Sequence, residues 1–220
     1  MMKKLVALVF CAVFAAAGLT GCSANEEPYI EKTYTPENAQ INAVCIDVRD
    51  RTVEVVPSED EGIHLVYFES ETEAYSIAVS GDNVLAMTAE NNKKWTDYIG
   101  GQAPAEYRKI TVRLPDSLLD ILSVSTTNED IAVGELAVNE SISLKANGGN
   151  ISFLMLSAGN EIALDVKNGN ITGAVSGSYD DYAISCTVKK GECNLPASKE
   201  NGEKKLTVAA NNGDVTIQAA

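Results

Sequence analysis

The sequence predicts an all-β domain: a single-stranded parallel β-helix, or β-solenoid, with coils of 20–22 residues, behind an N-terminal signal segment. Three observations lead there. Apolar and polar residues alternate over short runs, the period of strands. An Asn/Gly corner followed by an aliphatic strand is written repeatedly, as NGGNISF (147–153), KNGNITG (167–173) and NNGDVTI (211–217). Apolar columns then keep register from one repeat to the next.

The chain starts with a segment that is not part of this pattern. Lys3 and Lys4 precede an uncharged apolar run from Leu5 to Gly18, too short for a comfortable membrane span and suited to an export signal. The run ends at Leu19-Thr20-Gly21-Cys22, which resembles a bacterial lipobox. Residues 1–21 are therefore expected to be a lipoprotein signal peptide, with Cys22 carrying the diacylglycerol anchor. Removing Lys3 and Lys4 changes the formal charge from −14 to 15 − 31 = −16. So acidic a surface excludes nucleic acid and argues against adsorption to anionic lipid. The acyl chains would be the membrane contact, on the extracytoplasmic side of the cell membrane. Residues 22–40, polar and Pro-containing, read as a tether.

Residues 41–220 are expected to form the domain. Val44, Ile46 and Val48, then Val53 and Val55, set the first apolar template, with Arg51 at the position of the corner glycine. Residues 56–109 fit the template poorly. GIHLVYF and YSIAVSGDNVLAM read as strands within an irregular excursion, and NNKKWTDYIGGQAPAEY as an exposed loop. KITVRLP returns to strand and stops at Pro115.

From there the columns are regular. Asp130, Asn150, Asn170, Glu192 and Asp214 precede the aliphatic strands at spacings of 20, 20, 22 and 22. Glu129, Gly149, Gly169, Gly191 and Gly213 stand before them, and Ile131, Ile151, Ile171, Cys193 and Val215 after. Val124, Leu144, Leu164, Cys186 and Val208 form another column; Leu122, Ile142, Ile162, Ile184 and Leu206 lie two residues further back. Glycine enters left-handed backbone space cheaply and Asn tolerates it, so the corner column suits repeated sharp turns. Stacked Asn and Asp side chains can also bond along the stack. In a β-sandwich each corner would be a hairpin turn. Hairpins do not require columns to match across 20 residues, whereas a solenoid does.

ITVRLP followed by LSVSTTNEDIAV, the NGxI repeats, and SYDDYAISCTVKKGE resemble the DUF4097 family of candidate adhesins, over roughly residues 40–218 by pattern. The resemblance implies a repetitive, β-helix-like fold on exported or membrane-anchored proteins.

Chemistry has few footholds. His64 is the only histidine, no GxSxG or HExxH occurs, and no cofactor or metal signature stands out. The acidic runs at 59–61 and 69–73 read as solvated loops rather than a calcium site. Cys186 and Cys193 occupy apolar columns on either side of Gly191. They read as small core residues or, given export, as a disulfide. Cys45 has outward parity. Tyr179, Asp180, Asp181 and Tyr182 fall where a coil gains two residues, a place for a glycan- or protein-binding surface, although Tyr182 also has core parity.

The expectation is a non-catalytic cell-surface lipoprotein presenting a rigid binding, adhesin-like or scaffold module. A polysaccharide-active β-helix enzyme and an envelope-stress accessory contacting a membrane partner are the alternatives.

Overall fold

The computed structural model describes residues 28–37, 40–60, 62–91, 103–115 and 119–220. The strands are β1 (Ile30–Tyr34), β2 (Ala43–Asp47), β3 (Thr52–Pro57), β4 (His64–Glu69), β5 (Glu73–Val79) and β6 (Val84–Asn91). Next come β7 (Lys109–Leu114), β8 (Leu119–Thr126), β9 (Ile131–Gly148), β10 (Ile151–Ala158) and β11 (Glu161–Asn168). The chain ends with β12 (Ile171–Val175), β13 (Tyr182–Lys190), β14 (Ser198–Lys199), β15 (Lys204–Asn212) and β16 (Val215–Ala219). Two short 3-10 turns, at Ala105–Arg108 and Tyr179–Asp181, complete the described elements.

The strands form one mixed, curled sheet with two faces. One face runs β5, β6, β2, β8, the second half of β9, β11, β15, β13, β14; the other runs β1, β4, β7, β3, the first half of β9, β10, β12, β16. Inward side chains from both faces fill one core, which includes Ile131, Ile142, Leu144, Ile151, Ile162, Leu164 and Ile171, all at most 1% exposed. Their two-residue period is the pleat itself.

The centre follows the sequence period. Ile151 pairs in parallel with Ile131 and with Ile171, and Leu144 lies between Val124 and Leu164. The ends do not. Ile171 pairs with Val215, 44 residues on, and Cys193 bridges to Val215 from the far side. The coil of β15 and β16 is thus inserted between the coil of β11 and β12 and that of β13. The N-terminal end mirrors this. The coil of β2 and β3 is held between β6 and β7 on one side and β8 and β9 on the other. A continuous succession of 20–22-residue coils therefore does not describe the chain, because spatial order departs from chain order at both ends.

Two boundaries differ from the sequence reading. Residues 30–34, assigned to the tether, form β1, which runs antiparallel to β4. Tyr34 packs on the core, and the Tyr29 ring stacks on Tyr107 with centroids 5.0 Å apart. Burial and the neighbouring Glu73 push the Tyr29 phenol up to about 12. Among the described residues of 56–109, β6 enters the stack in parallel and β4 and β5 join as antiparallel strands, while most of the loop expected at 91–107 lies outside the described residues. The signal segment and Cys22 lie outside the described residues.

Candidate functional site

The corner column is the feature that the sequence repeats most, and the geometry explains it. Asp130 Oδ1 accepts the Asn150 N–H at 2.6 Å, and Asn150 Oδ1 accepts the Asn170 N–H at 2.9 Å. Asn170 Oδ1 then accepts from Asp214 N–H, and Asp214 Oδ1 from Glu192 N–H, each at 2.8 Å. One ladder of side-chain acceptors thus climbs the stack and follows its spatial order, not its chain order.

The glycines answer to crowding as well as to conformation. Gly169, Gly191 and Gly213 have φ of +151°, +133° and +147°, a region L side chains rarely enter. A Cβ on Gly213 would stand 1.8 Å from the Gly169 carbonyl oxygen, and one on Gly149 would stand 2.2 Å from that of Glu129. The sequence argument from left-handed space holds for the first three and misses this close approach of successive coils.

Two charged residues replace glycine in the first coils. Arg51 is buried; its guanidinium pairs with Glu73 and donates to Tyr75 Oη at 2.5 Å and to the Asp50 carbonyl at 2.9 Å. Glu129 pairs with Arg108. These bonds tie the end strands to the stack.

Tyr179, Asp180, Asp181 and Tyr182 come together at the bend between β12 and β13. Tyr182 is fully buried and donates to the Ser176 carbonyl at 2.8 Å. Asp181 accepts the Ser178 N–H at 2.8 Å in a capping box. Tyr179 is 37% exposed and its hydroxyl donates to the Ile217 carbonyl at 2.6 Å. Tyr179, Asp180 and Asp181 are exposed, while Tyr182 packs the bend.

His64 bridges Thr35 Oγ1 through Nδ1 at 2.8 Å and Asp60 Oδ1 through Nε2 at 2.8 Å. The order hydroxyl, imidazole, carboxylate is that of a hydrolytic triad. However, the Asp60 side chain is 63% exposed, so water competes for the carboxylate that would have to orient the ring. This arrangement clasps the β3–β4 loop to the residue following β1. Among the described residues no three His, Cys, Asp or Glu side chains converge as a metal ion would need.

Sequence reasoning did not find a shallow groove on the outer face of β3, β9, β10 and β12. It encloses about 420 Å³ and is lined by Glu54, Val56, Gly134, Ser152, Leu154 and Thr172, among others. Leu154 is 74% exposed beside it. A second hollow of about 250 Å³ is bounded by Pro57, Leu114, Pro115 and Leu136 and shares Val55 and Val56 with the first. Gly134 and an extra residue in β10 relative to β12 between Ser152 and Leu156 shape the floor, features that outward parity alone does not reveal.

Cys186 Sγ and Cys193 Sγ lie 3.1 Å apart across the Gly191 corner. Cys45 is half-buried between Ala86 and Ser123, and burial pushes its thiol up.

No curated protein matches the sequence. Among solved structures, a candidate cell adhesion protein from Clostridium sporogenes superposes with a TM-score of 0.60 at 11% identity, covering 89% of this chain and all of that one. A candidate adhesin from Bacteroides fragilis gives 0.41 at 13% identity, covering 89% and 98%. The first likeness is one of fold. The family model described as Toastrack DUF4097 matches residues 41–174, more than half of the chain, and the protein belongs to that family.

Proposed function

We propose that this protein is a non-catalytic, surface-presented binding module: a β-solenoid-like body held off the membrane by a lipid anchor at Cys22. The observation that carries the reading is the groove. It crosses β3, β9, β10 and β12 at right angles to the chain direction, on a face that main-chain ladders hold rigid. Its walls offer hydroxyls from Ser152 and Thr172 beside the apolar Leu154 and Val56. An extended polymer such as a glycan meets that mixture well, with hydroxyls for its polar edges and aliphatic surface for its ring faces. The cell-adhesion description of the Clostridium sporogenes structure agrees with this reading. We read the central coils, 119–175, as a single-stranded parallel solenoid with a 20-residue repeat and the remaining coils as its interleaved ends. Tyr179, Asp180 and Asp181 are a second, smaller patch available for contact.

A glycan array probed with the full chain tests the ligand class. Binding weakened at least about tenfold by Thr172→Arg, which fills the groove from an exposed position, supports the proposal. Binding unaffected by that change, or turnover of any glycan that His64→Ala abolishes, overturns it. The anchor is tested separately. Cys22→Ala is expected to remove labelling by a palmitate analogue and release the protein from membranes; persistent labelling would refute the lipobox assignment.

A further inference from the structure

We propose that Cys186 and Cys193 form a disulfide that locks the terminal coil as a cover over the open edge of β16. In each inner coil the inward positions in register with these two are aliphatic: Leu144 and Ile151, Leu164 and Ile171, Val208 and Val215. The terminal coil has a cysteine at both. Their sulfurs stand 3.1 Å apart, about 1 Å longer than the ~2.05 Å of the bond, so closure needs only a small side-chain adjustment.

What the bond would hold in place is specific. Residues 192–194 close the outer edge of β16. Val215 N–H donates to the Glu192 carbonyl at 2.8 Å, and the Asn194 side chain brackets Ile217, accepting its N–H at 2.9 Å and donating to its carbonyl at 2.7 Å. Asn194 thus does for one residue what a further strand would do for several. β13 itself is paired along its length with β15, but the segment that follows it is held by less: β14 pairs only with Ile184 and Ser185, and residues 189–192 are exposed. An uncovered edge strand is a template for association with other chains. Linking Cys193 to β13 anchors the bracket covalently.

The chemistry balances as a thiol–disulfide exchange with a small-molecule disulfide, such as glutathione disulfide. Cys193, half-buried, is the sulfur a partner can reach. Its thiolate attacks the oxidant and expels one thiol; Cys186 then attacks Cys193 Sγ and expels the second. Two protein thiols become one disulfide, and one oxidant disulfide becomes two thiols. Burial and the neighbouring sulfur push Cys186 up to about 12, so the more exposed Cys193 is the sulfur that initiates.

The test uses the full chain equilibrated with glutathione disulfide, alkylated under denaturing conditions, and digested with trypsin. Cleavage after Lys189 and Lys190 separates the two cysteines, so the bond would join peptide 168–189 to peptide 191–199 until reduced. Hydrogen exchange then reads the lock. The Val215 and Ile217 amides are expected to exchange about tenfold faster on reduction, while Cys193→Ser shows the faster rate with or without reductant. Complete alkylation of both thiols after oxidation, a bond to Cys45 instead, or edge protection indifferent to reduction would each overturn the proposal.

Discussion

Asn170 Oδ1 accepts the backbone N–H of Asp214 at 2.8 Å, across 44 residues of sequence. The same corner column that steps by 20 residues in the middle of the chain steps over a whole coil here. Asn170→Ala removes the acceptor but leaves the backbone bond from Ile171 N–H to the Asp214 carbonyl. It is expected to cost about 1 kcal/mol in urea denaturation. Asn150→Asp keeps an acceptor for Asn170 and loses the 3.2 Å donation to Asp130. It also puts like charges on adjacent rungs, so its cost should shrink as salt rises.

Conformation and crowding act together at one corner glycine and are both absent at another glycine. At Gly213 a side chain meets both an unfavourable φ of +147° and a carbonyl oxygen 1.8 Å from the new Cβ. Gly213→Val is expected to cost about 3 kcal/mol or more, or to prevent folding. Gly81 has nothing within 4 Å of its Cβ position, and Gly81→Ala should stay within about 0.5 kcal/mol. Equal losses at the two positions would remove coil crowding as the cause.

The central columns were legible because each inner coil sees the same neighbours above and below, so the same residue types recur. At the ends the neighbours change and the signal changes with them. Arg51 and Glu129 stand where glycine is expected, and each is satisfied by a partner distant in sequence, Glu73 and Arg108. The interleaving was invisible for a different reason. Val215 fits between Ile171 and Cys193 as well as it would fit beyond Cys193, since all three are inward residues of one column. Periodicity fixes which residues stack and does not fix their order. The groove was missed because its floor depends on an extra residue in β10, which breaks the two-residue parity used to find it.

The Arg51–Glu73 pair is buried on both sides, with side-chain exposures of 7% and 9%. Arg51→Ala would leave the Glu73 carboxylate in the core without its cation and is expected to cost about 3–5 kcal/mol. Replacing both partners by apolar residues, Arg51→Met with Glu73→Leu, should recover most of that loss. Thermal melts of the two variants decide it: a double variant as unstable as the single one would mean that the other bonds of Arg51, to Tyr75 and the Asp50 carbonyl, matter more than the charge pair.

The loop clasp carries the pH dependence. Asp60 is held at about 2, below its ordinary 3.8, first by the hydrogen bond from His64, then by the Gly62 N–H and the Ser58 hydroxyl. A carboxyl depressed in the folded state adds stability that is present above its unfolded value and is lost as pH falls through the folded one. The clasp should therefore loosen between about pH 3.8 and 2. Carboxyl NMR titration of Asp60 should show a midpoint that rises toward 3.8 in His64→Ala; an unmoved midpoint would leave Gly62 and Ser58 as the cause.

Coil order makes the last prediction. If the stack followed the sequence, Val215 would belong to its final coil, with a neighbour on one side only, and would tolerate truncation. The interleaved order puts it between Ile171 and Cys193, at 1% exposure, with core on both sides. Val215→Ala should then behave as an interior cavity, costing about 2 kcal/mol. Ile151→Val, in the undisputed centre, should cost about 0.5–1.5 kcal/mol, and Ile151→Asp should unfold the domain by placing an unpaired charge among Ile131, Ile171 and their neighbours. Cys193→Ala lies at the true end of the column and, measured under reducing conditions, should cost less than Val215→Ala although it comes earlier in the chain. Finding Cys193 the more sensitive of the two would restore the sequential order and refute the interleaving.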